Sequence, residues 1–476
     1  PAVKPQVIPP VKFTQDRYIS YEDNNISAPE LCVWFPTVPS RHPDEAPLDA
    51  LAFLMGGNKS SLFEKKLVST GIVPYVNISH PTYELSGEWA IIVRGFQDTK
   101  LSKLDELIPS YIEEFEKTGF TEDDLKMFKA NYESGLIGSL EGVQGKGMVL
   151  GEYQVFTGNP NYIVKDLQRY RNVTKADVTR VYKKYIKHQP HVSLSIYPKG
   201  KPELIAKPNN YKLPPYNVNA PESAEYKNLV YKKPAQTFDR SKRPTVPKTP
   251  AVKIPDYWTE NFENGLKLIG AESKEIPTVI IQLTIEAAHR YEPKDKSGIA
   301  QLLVGLLNES TEKYSGEQIS NQLNLLGSTV NISANKHDID ATISCLTKNL
   351  DATLAIAEQM LFHPKFDTQE FERVKKQQLE TIENQFTQAP ALTDNVFSKL
   401  LYGKDHTMSV PVNGTKETVN ALTLDDVKKY YAKRYAPRVS SMVIVGDVTK
   451  ETILPKLTAF KKWEGSTLMH AREPEL

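Results

Sequence analysis

The sequence predicts an α+β fold built from two homologous units, each an antiparallel sheet with helices packed on it, joined by a proline-rich linker. Three observations carry this expectation. A block of residues recurs in the same order about 250 residues later. Within each block the strands read as hairpin-joined rather than as regular β-helix-β alternation, which favours an antiparallel sheet covered by helices. Between the blocks lies a segment too rich in proline to continue either one.

The tetrapeptide Val76-Asn77-Ile78-Ser79 returns as Val330-Asn331-Ile332-Ser333. Each copy follows a helical pattern closed by a glycine, Gly71 or Gly327, as expected of a helix C-cap. Each leads into a second apolar-alternating run, Trp89 to Val93 and Ile339 to Cys345, so both pairs read as hairpins. Leu104-Asp105 and Leu350-Asp351 then open helical patterns, with Phe120 and Phe366 at the same later point. Amphipathic helices start at Glu122 and Gln369, and Gly158 and Gly403 break the pattern. Thr174-x-x-Asp177 and Thr423-x-x-Asp426 open matching helices with Tyr182 and Tyr431 in step. Threonine with an acid at this spacing resembles a capping box, although Asp is a weaker partner than Glu. A β-rich run closes each copy, His191 to Ile196 and Ser440 to Val445. Chance explains any one match but not the shared order, so the chain is read as a duplication.

These landmarks divide the chain into an N-terminal connector (1–20), a first unit (21–205), a linker (206–255), a second unit (256–465) and a C-terminal tail (466–476). The stretch from Ala206 to Pro255 holds nine prolines, including Pro214-Pro215 and Pro244-x-x-Pro247-x-x-Pro250, and reads as a semi-rigid extended connector. An SH3-type ligand is the rival reading of that spacing. The absence of an initiator Met at Pro1 leads to the expectation that the polypeptide is part of something longer.

With 59 Lys+Arg against 58 Asp+Glu the formal charge is +1, which argues against a dedicated nucleic-acid binder. At 39% hydrophobic and 25% charged residues the composition is that of a globular chain, and no apolar run approaches the ~20 residues of a membrane-spanning helix. Cys32 and Cys345 both fall in strand-like runs and read as small buried hydrophobes; two cysteines do not fix the redox compartment.

Residue chemistry alone yields no catalytic constellation. Of nine histidines only His188-x-x-His191 is closely spaced, and Pro190 between them disorganises a helical zinc pair, so helix-end histidines are the simpler reading. Gly142-x-x-Gly145-x-Gly147 beside Lys146 lacks the residue order and the leading strand of a phosphate loop. Gly56-Gly57-Asn58-Lys59-Ser60-Ser61 reads as a glycine turn before a Ser-capped helix from Leu62, either a plain helix–helix turn or an anion-holding helix start.

The ordered features do resemble a known family, the pitrilysin, insulin-degrading and mitochondrial-processing-peptidase group of inverted-motif zinc metallopeptidases. In that group two such repeats make one half of the enzyme. Active members place His-x-x-Glu-His on a helix after a Gly-x-Ala lead. The two histidines hold zinc, the intervening Glu is the general base, and a distant Glu completes the ligands. The matching lead here is Gly298-Ile299-Ala300, followed by Gln301-Leu302-Leu303-Val304-Gly305. Gln301 stands at the first ligand, Val304 at the base and Gly305 at the second ligand. The distant ligand falls near Gln377 to Glu380, where a lone Glu380 is no substitute.

Residues 256–463 still follow an opening repeat, with Asn264-Gly265-Leu266, Lys365-Phe366, Tyr435-Ala436-Pro437 and Val445-Gly446-Asp447 in order. Residues 11–205 resemble a closing repeat, on the Asp44 to Met55 helix and the Gly56-Gly57 to Leu62 turn. The Arg and Tyr that some closing repeats supply to catalysis would fall at Leu67 and Pro74, with Tyr75 adjacent. The resemblance therefore implies a metallopeptidase-family roll in each unit. It implies the non-catalytic central portion of a zinc endopeptidase, walling a chamber that admits unfolded peptides or small proteins. Val76, Asn77, Ile78 and Ser79 would form a substrate-binding strand, against which a plain core strand is the rival reading. No cofactor is expected in this chain, with zinc in a longer parent or in a partner. A zinc-bearing repeat would precede Pro1, and the resemblance favours the bacterial periplasm. The alternative is an inactive scaffolding or binding subunit with no zinc chemistry in its own polypeptide.

Overall fold

The first unit starts with β1 (Arg17–Asp23) and β2 (Glu30–Thr37), then α1 (Glu45–Gly56) and a π-helical turn (Glu64–Val68). The hairpin β3 (Tyr75–Ser79) and β4 (Gly87–Arg94) follows, then α2 (Leu101–Thr118), α3 (Glu122–Ser139), α4 (Val143–Thr157), α5 (Ile163–Arg171), α6 (Lys175–Val181) and β5 (Val192–Pro198). The structure is a computed structural model that describes residues 9, 11–212, 230, 239–243, 255–404 and 406–465. Strand order is β1-β5-β2-β4-β3, antiparallel throughout except for the parallel pair β1–β5. Period-two alternation turns Leu31, Val33 and Phe35 of β2 toward Leu48, Leu51 and Met55 of α1, all buried in one core.

The second unit contains β6 (Trp258–Asn261), β7 (Lys267–Glu272), β8 (Thr278–Ile285), α7 (Ile299–Leu307), α8 (Gly316–Leu326), β9 (Thr329–Ala334) and β10 (Ile339–Leu346). It continues with α9 (Leu350–Phe362), α10 (Thr368–Gln385), α11 (Ala389–Tyr402), α12 (Lys416–Ala421), α13 (Leu424–Arg434), β11 (Ser440–Gly446), α14 (Lys450–Ile453) and α15 (Thr458–Lys462). Its sheet runs β6-β7-β11-β8-β10-β9, with β7–β11 parallel. Removing β6 leaves the order of the first sheet, strand for strand. The duplication reaches single hydrogen bonds. Tyr182 Oη donates to the Ile112 carbonyl and Tyr431 Oη to the Leu361 carbonyl, each 70 residues back, at 2.9 and 2.8 Å. Gly71 and Gly327 both take positive φ, and both threonine–aspartate pairs close complete capping boxes.

Some boundaries move. β1 crosses the expected 20/21 border because its backbone pairs with β5. Residues 206–212, expected in the linker, are tied back to the first unit: Ala206 N–H donates to Ser195 Oγ and Asn210 pairs with Tyr18. The helix expected from Leu62 is largely the π-helical turn. The Pro214-Pro215 and Pro244 to Pro250 motifs and the 466–476 tail lie outside the described residues.

The units pack together. α3 lies on α8, where Asn131 Nδ2 donates to the Asn324 carbonyl at 3.1 Å. Lys59, at the Gly56-Gly57 turn, reaches the Asn308 carbonyl at 2.8 Å and Glu309 at 3.0 Å. That turn is thus a helix–helix connection whose lysine bridges the units.

Asp426 gives the fold an acid sensitivity. Its bond from Lys296, aided by Thr423, holds its carboxyl at about 2. An unfolded Asp titrates near ~3.9, so this contribution is complete above that pH and disappears as pH falls through about 2. Asp426→Asn is expected to lower the urea midpoint at neutral pH, with the gap from wild type closing between about pH 4 and pH 2. A gap that stays constant over that range would contradict the assignment.

Candidate functional site

The sequence directs attention to α7. Its nine residues are almost wholly apolar, and Leu302, Leu303 and Val304 sit in the core. Gln301 is half-buried and donates from Nε2 to the Ala334 carbonyl at the end of β9, 2.9 Å away. Gly305 faces α10 closely: a Cβ there would stand 2.6 Å from Val374 Cγ1, so that helix has closed over the space. One turn along, Gln378 donates from Nε2 to the carbonyls of Gly298 and Asn413 at 3.0 and 2.8 Å. Glu380 is buried and its carboxyl is pushed upward, first by desolvation and then by Glu383.

The predicted positions therefore do come together, α7 against α10, but with the wrong donors. An amide, an isopropyl group and a glycine offer no imidazole or carboxylate to a metal. The residues do not fit zinc. Among the described residues no group of three or more His, Cys, Asp or Glu side chains is placed to hold a metal ion. His191 instead pairs through Nδ1 with Asp16 at 3.1 Å, and His188 is exposed. Burial pushes the Cys32 thiol up to about 12 and the Cys345 thiol to about 11, so neither is poised as a thiolate nucleophile.

α7 is held at its start by a group that no motif announced. Glu292 is fully enclosed and accepts from the Gly298 and Ala300 amides at 3.0 and 2.8 Å, satisfying helix-start donors that Gly298, at φ +95°, cannot cap with a side chain. His289 Nδ1 lies 2.7 Å from the same carboxylate and its Nε2 3.1 Å from the Thr407 carbonyl.

The first unit builds a larger polar cluster around α1. Asp166 of α5, 1% exposed, accepts from Arg41 at 3.0 Å, Arg169 at 2.6 Å, Tyr132 at 2.9 Å and Tyr153 at 3.0 Å. Arg169 also donates to Glu45, the first residue of α1, at 2.6 Å. Further along α1, Asp49 accepts from Tyr170 at 2.6 Å and faces His80 Nδ1 at 2.7 Å. Burial would raise the Asp44 carboxyl, but bonds from Tyr185, Lys184 and Arg180 outweigh it and hold it at about 2. Sequence reading missed this cluster because its members lie up to 141 residues apart and carry no spacing signature.

Val76 to Ser79 occupy β3, the last strand of the first sheet. Val76 and Ile78 point into the core, while Asn77 and Ser79 are half-buried on the other face. Leu67 is fully buried and Tyr75 is exposed. No helix among the described residues is long and apolar enough to cross a membrane.

Comparison with known proteins follows the same division. Residues 1–132 match the family described as "Peptidase M16 inactive domain", and residues 268–410 match "Insulinase (Peptidase family M16)". An uncharacterized zinc protease, YmxG, of Bacillus subtilis is 24% identical over 43% of this chain and 49% of its own length. A non-peptidase homolog, YmxG, of Helicobacter pylori is 23% identical over 40% of this chain and 44% of its own. The chain spans about half the length of the curated relatives it matches. A crystal structure of a peptidase M16 inactive domain from Pseudomonas fluorescens aligns with a TM-score of 0.43 and 22% identity, covering 45% of this chain and 52% of that one.

Proposed function

Because this chain belongs to the insulinase (M16) peptidase family, we propose that it is a non-catalytic portion of a zinc metalloendopeptidase, one that binds unfolded peptides and walls the space in which they are handled. The observation that carries this reading is α7: Gln301, Val304 and Gly305 occupy the motif, and Val374 fills the place a second ligand would need. Zinc would belong to another repeat of a longer polypeptide or to a partner subunit, and the bacterial periplasm is the proposed compartment. β3 would hold peptide by strand addition, through the backbone groups of an edge strand. The name of the non-peptidase homolog supports a second reading, an inactive subunit that scaffolds a partner.

Purified chain supplied with zinc is expected to bind a fluorescent unfolded peptide and leave it intact. Chelator-sensitive cleavage would refute the non-catalytic reading, whereas absence of binding would favour the scaffold. The triple variant Gln301→His, Val304→Glu, Gly305→His is expected to remain inactive and to lose at least about 3 kcal/mol of stability, since a histidine at 305 overpacks against Val374 and Val304→Glu puts a carboxyl in the core. Denaturant melts and zinc titration read the two effects separately.

A further inference from the structure

A peptide that adds as a strand needs a sheet edge with unpaired N–H and C=O groups. The two sheets have four edges. At β1, Asn210 N–H donates to the Tyr18 carbonyl at 3.1 Å, and the Asn210 side chain accepts from the Tyr18 amide at 2.7 Å. The second sheet begins with the short β6, whose Thr259 carbonyl accepts from Lys450 at 3.0 Å. The remaining edges are the equivalent strands β3 and β9, and they are treated differently.

At β9 both backbone groups of Ile332 and the carbonyl of Ala334 are taken by amide side chains of α7 and its C-cap. Asn308 Nδ2 donates to the Ile332 carbonyl at 2.7 Å, while Asn308 Oδ1 accepts from the Ile332 amide at 3.3 Å. One carboxamide thus supplies both bonds that a neighbouring strand would make at that residue. Gln301 covers the next outward carbonyl, that of Ala334. Asn308 is itself fixed by donating to the Val304 carbonyl at 2.8 Å. The first unit lacks this device. The helix residue over Ile78, the counterpart of Ile332, is Gly56, so near that a Cβ would meet Ile78 Cγ1 at 2.6 Å. Among the described residues, Tyr75 to Ser79 make no hydrogen bonds beyond their ladder with β4.

We propose that Asn308 and Gln301 close the β9 edge to extended peptides and so direct strand addition to β3. The inference rests on the peptide-binding reading above and adds which of two equivalent edges is used and why. Glutamine at the first motif position then has a structural role of its own: it guards the strand beside it.

The test uses the whole chain and a fluorescein-labelled, unstructured Val/Thr-rich peptide carrying a benzophenone. Wild type is expected to bind with a stoichiometry of one and to cross-link at residues 75–79. Gln301→Ala with Asn308→Ala is expected to double the stoichiometry and add cross-links at residues 329–334. Wild-type cross-links on β9, or no new site in the double variant, would overturn the proposal. Amide exchange reads the block without peptide: the Ile332 amide should lose protection in Asn308→Ala, and unchanged exchange would overturn the block. Should Asn308→Ala fold poorly, Asn308→Asp keeps the shape and the acceptor but cannot donate to the Ile332 carbonyl, and it should also gain peptide at β9. If wild type binds nothing while the double variant gains one site, the block stands and the β3 reading falls.

Discussion

Replacing Asp166 with alanine is expected to cost the first unit about 3–5 kcal/mol, because it takes from two largely buried arginines the enclosed carboxylate they share. Arg41 and Arg169 have side chains 16% and 17% exposed, and both donate to this carboxylate. Arg169 retains Glu45 and Arg41 retains Glu152, so neither loses every partner. Each is still left with desolvated N–H groups facing a void, while the Tyr132 and Tyr153 hydroxyls lose their acceptor. Asp166→Asn separates charge from geometry. It keeps an oxygen acceptor but places an NH2 among four donors, and it should fall between wild type and alanine. Urea unfolding followed by Trp89 fluorescence checks this, since that indole is buried in the first core. A loss under about 1 kcal/mol in Asp166→Ala would show that water replaces the carboxylate at little cost, as at an exposed pair.

The cluster also marks where sequence reading stops. The duplication was legible because capping boxes, helix-ending glycines and strand periodicity are each encoded within a few residues. The Tyr182 and Tyr431 positions were therefore in step before their shared hydrogen bond was seen. The parallel pairs β1–β5 and β7–β11 were not legible, since each joins a strand near the start of a unit to its last strand. Asp166 meets Arg41 across 125 residues with no spacing to announce it. The degenerate motif was legible as an absence of ligands, but not what the substitutes do. That Gln301 would bind a β9 carbonyl depends on how α7 lies against that strand, which no local pattern encodes.

Glu292→Ala is expected to have a comparable effect in the second unit, again about 3–5 kcal/mol, because buried backbone amides lose their acceptor. The carboxylate is enclosed and serves the Gly298 and Ala300 amides, the Ser297 hydroxyl at 3.4 Å and His289. Removing it leaves the start of α7 without a cap and His289 facing a cavity. Gly298 cannot compensate: a Cβ there would stand 2.6 Å from the Asn413 carbonyl oxygen, so a capping side chain has no room. Glu292→Gln keeps one carbonyl acceptor for the helix amides but loses the negative charge beside His289, and should cost less than alanine. Because α7 carries both Gln301 and the support of Asn308, loosening its start should also release the β9 edge. Glu292→Ala is thus expected to speed amide exchange at Ile332, while Asp166→Ala, in the other unit, leaves that amide protected. Equal Ile332 exchange in wild type and Glu292→Ala, alongside a lowered urea midpoint, would mean that Glu292 stabilises the unit without holding α7 against its strand.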